Sequence, residues 1–402
     1  MDVDALVAAV RDGDLRLHEL EQHADPDDAA TARRRLLAAE SGADLGTIGS
    51  YAFAAADAEP NIENMLGAAQ VPMGVVGPIA VDGGAVSGER HLPLATTEGA
   101  LVASVNRGCA AIRAAEGATA RVLKNAMTRA PVFRVGDVGE ASETASWVRD
   151  SVDRLASAAE STTNHGRLRD VTPYVVGDSV FLRFGYDTKD AMGMNMATIA
   201  TEAACEVVER ETPAELVALS GNLCSDKKPA AINSVEGRGR TVAADVSIPG
   251  ETVESYFGTT PAAIAEANTR KNLVGSAKAG ALGFNAHVAN TVAAAFLATG
   301  QDIAQVVEGS NAITTAEVRD GDLYVSLTIA SLELGTVGGG TKLPTQREAL
   351  DVVGVRGGGD PAGSNADALA EVVTTAALAG ELSLLGALAS NHLASAHEEL
   401  GR

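Results

Sequence analysis

The spacing of apolar residues changes period repeatedly along this chain. From Pro131 to Val135 it reads as a strand, from Ala141 to Ala159 as a helix, and over Val171 to Val176 and Ser179 to Gly185 as two strands. A helix over Met192 to Glu211 and a strand over Glu215 to Ser220 follow, so the order is βαββαβ, a split ferredoxin-like unit. Downstream, the pattern predicts a strand from Arg240 to Ile248 and a long Ala-rich helix beginning near Val274. It also predicts a hairpin in which Asp320-Gly321 joins Ala312 to Val318 with Leu323 to Leu332. A helical pair is expected to close the chain. Ahead of all this, the first sixty or so residues read as short helices, with Asp25 as a cap, Pro26 in the first turn, and Asp27 and Asp28 at the positive dipole end.

The fold class expected is therefore α+β: a small N-terminal helical region, a large α/β domain with a long central helix, and an inserted ferredoxin-like small domain. The division is residues 1–66, then 67–130 with 230–402 as the large domain, 131–218 as the insert, and 219–229 as a connecting loop. Gly357 to Gly363 is the expected flexible loop. The two most apolar stretches, Val274 to Gly300 and Leu369 to Ala389, carry Asn285, His287 and Asn290 or Glu371 and Glu381. Such groups are costly in lipid, so both read as buried helices, and no membrane partner is expected.

Composition narrows the chemistry. The chain has 402 residues, 46% of them hydrophobic and 21% charged, ample for a packed core. Its net charge of −22 argues against a nucleic-acid partner, because phosphate binding needs clustered Lys and Arg. Only seven lysines occur and aromatics make up 3%, a balance suited to high salt, where self-repulsion is screened; an ordinary acidic cytosolic protein is the alternative. The acidic start lacks the layout of a signal peptide, so a cytoplasmic protein is expected. Cys109, Cys205 and Cys224 form no Cys-x-x-Cys pair, and His392 and His397 lack zincin spacing, so no metal is expected.

Against that background a few polar residues stand out. Lys227 and Lys228, between Asp226 and Pro229, are two of the few lysines kept, which points to a lysine retained for chemistry. Glu98 in Thr96-Thr-Glu-Gly99 by itself reads as an acid favouring a helix N-terminus. Asp302, after Gly300-Gln301, falls at the expected end of the long helix, where a carboxylate is mildly unfavourable. His397 lies near the C-terminus. No Gly-x-Gly-x-x-Gly fingerprint opens a helix after a strand, so a Rossmann domain is not supported. The turn Asp190-Ala-Met-Gly-Met-Asn-Met196 does open a helix after a strand, where free N–H groups can take phosphate or amide oxygens, and Gly338-Gly-Gly340 can admit a flat ring.

Together with Glu63-Asn-Met-Leu-Gly67, Pro72 to Pro78, Thr96 to Ser104, Ser220 to Asn233, Lys271 to Ser276 and Gly335 to Thr341, these motifs resemble the 3-hydroxy-3-methylglutaryl-coenzyme A (HMG-CoA) reductase family. The resemblance is to the class found in eukaryotes and most archaea, class I, in a soluble halophile-like form. It implies reduction of a thioester to a primary alcohol by two hydrides from NADPH, giving mevalonate and free coenzyme A. In this pattern Lys227 stabilises the oxyanion, Glu98 donates a proton, Asp302 orders that pair and His397 protonates the departing thiolate. Arg129, Ser220, Asp226, Lys228, Lys271 and Asn290 would surround the acyl group, with Ser104 and Asn106 toward coenzyme A. Asp190, Met192, Gly193, Met194, Asn195, Gly338, Gly339 and Thr341 would hold the dinucleotide. Family members are dimers or dimers of dimers with sites shared between subunits.

The chain departs from the family pattern at Asn164, which stands where an Arg usually meets the 2′-phosphate, with His165 and Arg167 able to substitute. Two other readings compete: NADH-linked mevalonate oxidation, and a catalytically silent acyl-coenzyme A or nucleotide sensor. The presence of Glu98, Lys227, Asp302 and His397 together argues against the sensor.

Overall fold

The computed structural model describes residues 1–390. Ten strands fall at β1 (Met73–Gly83), β2 (Ser87–Ala95), β3 (Ala118–Arg129), β4 (Val132–Arg134), β5 (Arg167–Val176), β6 (Ser179–Asp187), β7 (Glu215–Ala218), β8 (Gly239–Ile248), β9 (Ala312–Arg319) and β10 (Asp322–Leu332) among these residues. With helices between the strands, the architecture mixes helix and sheet. The twelve-residue β3 organises the sheet. Its Thr119 to Ala126 stretch pairs antiparallel with β8, while Met127 to Arg129 pairs with Phe184 to Tyr186 of β6. On the β8 side lie β10 and β9, with β1 and β2 joined to the start of β3. On the β6 side the order is β7-β4-β6-β5, every pair antiparallel.

Two large cores follow from this layout. One is built on β1, β2, β8 and β10 with the helices Leu101–Ala114, Val288–Thr299 and Ser364–Ala389. The other is built on β4, β5 and β6 with the helices Val138–Asp150, Val152–Glu160 and Met194–Glu211. The 26-residue helix Ser364–Ala389 is long and apolar enough to cross a membrane by length and composition, yet it runs through the first core with 83% of its most apolar window buried. Its two inward acids are fully occupied. Glu371 accepts the N–H groups of Gly84, Ala85 and Val86, and Glu381 those of Ala286 and His287 with the Thr314 hydroxyl. A buried carboxylate is tolerated when it is supplied with donors in this way.

The hairpin forms as the pattern predicts, with Arg319 facing Asp322 across Asp320-Gly321 and positive φ at both turn residues, the backbone that matches strand twist. The Asp25 cap also forms, accepting from the Asp27 N–H at 3.0 Å ahead of the helix Pro26–Ser41. Three expectations need correction. The helix over 141–159 is broken at Ser151, which leaves helical geometry. The long helix near Val274 is instead a π-helical stretch Asn268–Gly275 and a turn ending at left-handed Gly280, followed by a separate helix Val288–Thr299. Between them, Phe284 exchanges hydrogen bonds with Ala312 and Thr314, and the Asn285 amide donates to Ser310 and Ala312. The sheet edge thus claims backbone that local pattern assigns to a helix. Finally, Gly357 to Gly363 is not free. The carboxylate of Asp190 accepts the N–H groups of Gly359, Gly363, Asn365 and Ala366, and Thr336 ties down Gly357.

Candidate active site

The helix Val288–Thr299 ends at Gly300 with φ 72°, and the chain turns at once into a 3-10 turn, Ile303–Gln305. Asp302 is the N-cap of that turn, its carboxylate accepting the Ala304 N–H at 3.1 Å. The expected dipole penalty therefore does not arise: the acid sits at the positive start of a new turn and not at the end of the old helix. Its other oxygen meets Lys227 Nζ at 2.8 Å. Both groups stay partly open to solvent, at 45% and 32% exposure. The hydrogen bond to Asp302 holds the Lys227 ammonium above the usual lysine range, so the amine keeps its proton at neutral pH.

Lys227 lies on a loop with unusual backbone. Asn222, Ser225 and Lys227 all have φ between 46° and 61°, a left-handed geometry that non-glycine residues adopt only when their surroundings fix it. The surroundings do fix it here. Asn233, fully buried, donates its amide to the Ser225 carbonyl at 3.1 Å. The Lys227 N–H donates to the buried Glu308 carboxylate. Asp226 accepts from Gln305 at 2.9 Å and from Arg238 at 3.0 Å. Arg238 is fully enclosed and also reaches Gln305, Glu333 and Glu308.

One guanidinium thus faces three carboxylates. Burial pushes Glu333 up to about 8 and Glu308 above the usual carboxylate range, overcoming the attraction of Arg238 in both. Burial pulls Arg238 down, but Glu333, Asp226 and Glu308 together carry it above its ordinary value. Burial thus biases Glu333 and Glu308 toward their protonated forms, while Arg238 keeps its positive charge.

Asp302 also borders a cleft of about 830 Å3 lined by Met192 to Met196, Gly300 to Ala304, Gly335, and Val337 to Thr341. Two clamps shape it. Gln301 accepts the Gly335 N–H and donates to the Gly335 carbonyl, both at 2.9 Å. Gly300 and Gly340 stack backbone on backbone so closely that a Cβ on Gly300 would lie 2.4 Å from the Gly340 carbonyl oxygen. Gly193, with φ 87°, opens the helix Met194–Glu211 without any side-chain cap, leaving first-turn N–H groups available.

Of the residues expected to contact a dinucleotide, Met192, Gly193, Met194, Asn195, Gly338, Gly339 and Thr341 line this cleft. Asp190 does not. It is 5% exposed and its carboxylate is occupied by the 359–366 backbone, so its part in the cleft is to anchor the wall. Glu98 is exposed ahead of the helix Leu101–Ala114, with its N–H on the Thr96 hydroxyl and no carboxylate partner among the described residues. The structure does not join it to the Lys227–Asp302 pair within one chain. His397 lies outside the described residues.

The expected acyl-group residues divide. Asp226 is locked to Arg238, and Lys228 is exposed with Nζ on the Asp226 carbonyl at 3.1 Å. Ser220 faces Cys224 at 3.8 Å. Arg129 ends the β3 pairing with β6, and Lys271 lies exposed on the π-helical stretch. Asn290 is half-buried on the helix Val288–Thr299. Toward the other side, Ser104 bonds Ser383 at 3.0 Å. The Asn106 amide accepts the Gly77 N–H and donates to the Val75 carbonyl of β1.

The sequence reading missed Arg238, Glu308, Glu333, Gln301 and Asn61, the last also lining the cleft. Period carried no signal for Glu333: alternating burial of Leu323, Val325, Leu327 and Ile329 stops at the register shift before Leu332, and Ser331 to Leu334 are all buried. Among the described residues no group of three or more His, Cys, Asp or Glu is placed to hold a metal ion.

A protonated lysine, ordered by a carboxylate at the mouth of a cleft with a helix N-terminus and a glycine loop, can polarise a carbonyl beside a bound ring. That defines a class of carbonyl-reducing sites. The hydroxymethylglutaryl-coenzyme A reductase family profile matches residues 29–402, and the chain belongs to that family. It is 73% identical to the 3-hydroxy-3-methylglutaryl-coenzyme A reductase of Haloferax volcanii over the whole of both chains. Identity to that of Halobacterium salinarum is 69%, over all of this chain and 99% of the relative. The fold is similar to the class II reductase of Streptococcus pneumoniae, solved bound to NADPH in open conformations. The TM-score is 0.68 at 19% identity, covering 93% of this chain and all of the other.

Proposed function

We propose that this protein is an NADPH-dependent reductase converting 3-hydroxy-3-methylglutaryl-coenzyme A to mevalonate and coenzyme A, in the mevalonate route to isoprenoids. The observation that carries the reading is the Lys227–Asp302 pair at the edge of the Met192–Met196 and Gly338–Thr341 cleft, in a chain of this family. Oxyanion charge develops on the thioester carbonyl and again on the aldehyde, and the fixed ammonium of Lys227 meets it in both reductions. Asp302 keeps that amine charged and aimed. Glu98 supplies a proton and His397 protonates the thiolate, as the family pattern implies. Because Glu98 stands apart from Lys227 in one chain, a homodimer, or a dimer of dimers, in which a second copy completes the site fits this reading.

The cleft residues Met192 to Asn195, Gly338, Gly339 and Thr341 take the dinucleotide, with pyrophosphate oxygens at the uncapped helix start. Arg129, Ser220, Lys228, Lys271 and Asn290 take the acyl group, and Ser104 lies toward coenzyme A. We assign the chain to class I, supported by high identity to archaeal relatives against 19% to a class II structure. We place it in the cytoplasm of an extreme halophile, and read residues 131–218 as an inserted ferredoxin-like nucleotide-binding domain with the strand order β7-β4-β6-β5. Residues 1–66 form a helical domain, and 67–130 with 230–402 the large domain.

The test is absorbance at 340 nm with purified protein in high salt, the acyl-coenzyme A, and either dinucleotide. Two NADPH oxidised per thiol released supports the reading. Preference for NADH would favour the degradative direction, and no oxidation with either would overturn the enzyme reading.

A further inference from the structure

The segment 302–309 holds Lys227 at both of its ends. Asp302, at the start of the segment, pairs with the ammonium at 2.8 Å, and Glu308, two turns later, accepts the backbone N–H of the same lysine. Glu308 has no exposed surface, and its carboxylate is not placed to touch anything in the cleft. Holding a buried acid there is unfavourable unless it serves the loop, and Arg238, 3.7 Å away, partly offsets the penalty. Arg238 also grips Asp226, and Asn233 grips Ser225. Three successive loop residues, 225, 226 and 227, are thus each fixed by a different buried side chain. The grip at 227 alone acts on the residue whose side chain carries the charge.

We propose that Glu308 is a positioning residue for Lys227, setting the lysine's left-handed backbone so that its ammonium reaches Asp302 and the reacting oxygen together. This deepens the reading of Lys227 as oxyanion donor and rests on it for the catalytic consequence. The geometry explains why the acceptor must be an oxygen at this place: Lys227 has φ 57°, and its N–H points into the protein, where an unpaired donor would let the loop relax to ordinary backbone. A shift of about 1 Å in a catalytic group is enough to cost roughly 10²-fold in rate.

The experiment uses Glu308→Met, which matches the volume but offers no oxygen, and Glu308→Gln, whose amide oxygen can still accept the Lys227 N–H. Arg238 keeps Asp226 and Glu333 as partners when Glu308 is replaced, which limits the cost of removing one acid from the cluster, and circular dichroism in high salt verifies folding. The expected result is a fall in kcat of about tenfold or more in Glu308→Met, with KM for NADPH within about twofold, and recovery of most of the loss in Glu308→Gln. In parallel, hydrogen exchange over residues 222–230 should quicken in Glu308→Met and return toward the native rate in Glu308→Gln. A folded Glu308→Met protein with native exchange over 222–230 would overturn the positioning role, as would one with undiminished kcat. If the native protein itself reduces no acyl-coenzyme A, the functional reading fails, while the exchange comparison still decides whether Glu308 sets the loop.

Discussion

The two walls of the candidate site are made by opposite means. On the Lys227 side the chain buries ionisable groups: Arg238, Glu308 and Glu333 have no exposed surface, and Glu308 and Arg238, with Asn233, grip residues 225 to 227, where Ser225 and Lys227 have left-handed backbone. On the cleft side the chain removes side chains. Gly300, Gly335 and Gly340 bring backbone against backbone, Gln301 clamps the Gly335 main chain, and the Asp190 carboxylate bonds to main chain. A point charge must be aimed at one atom, so its support is rigid and electrostatic. A flat, extended ligand needs room and N–H groups, which glycine loops and an uncapped helix start supply.

The sharpest break in this contrast is Lys227→Ala. It should lower kcat by about 10²–10³, equivalent to about 2.7–4 kcal/mol of lost transition-state stabilisation. The thermal midpoint should stay near native, because the side chain is half-exposed; steady-state kinetics beside a melt in the same salt checks both.

Asp190→Ala tests the other wall through stability. Four backbone N–H groups lose their acceptor, so chemical denaturation should show a loss of about 2–4 kcal/mol, given 1–3 kcal/mol for each buried donor left unpaired and partial rescue by water. If Asp190 instead contacted the dinucleotide directly, KM for NADPH would rise with stability unchanged.

Gly300→Ala should act in between, since its Cβ meets the Gly340 carbonyl and φ 72° disfavours alanine. A loss of about 1–3 kcal/mol is expected with a raised KM for NADPH and little change in the Lys227 step. Equal loss of kcat at saturating NADPH would show that the two walls are not separable.

The smallest effect near pH 5 should come from Glu333→Gln. With its proton held up to about 8 in the folded protein against 4.5 ordinarily, Glu333 adds stability that is complete below 4.5 and is lost as pH rises toward 8. Glutamine resembles the protonated acid, so the variant should match the native melt near pH 5 and flatten the decline between 4.5 and 8. A native-like slope in the variant would assign the proton elsewhere in the cluster.

Much of the fold was legible because it rests on local rules. Alternation gave β8, β9 and β10, Asp320-Gly321 gave the hairpin turn, and helical spacing gave Met194–Glu211 to within two residues. The break at Ser151 and the non-helical 281–287 stretch were not legible, since in the latter case Asn285 and Phe284 bond to a sheet edge distant in sequence. The same division runs through the site. Lys227 stood out by scarcity and the Met192–Asn195 turn by composition, but Glu308 looked like a surface acid on a short helix and Arg238 like any scattered arginine.

What the sequence determined by itself was the set of chemical groups, their order, and the periods that make each segment helix or strand, because those depend on neighbours three or four residues away. The tertiary structure decided what each group is used for. Asp190 became an anchor, Asp302 a cap as well as an ion-pair partner, and Glu308 a support, because burial and the few oxygen or N–H partners within reach are set only when distant segments meet.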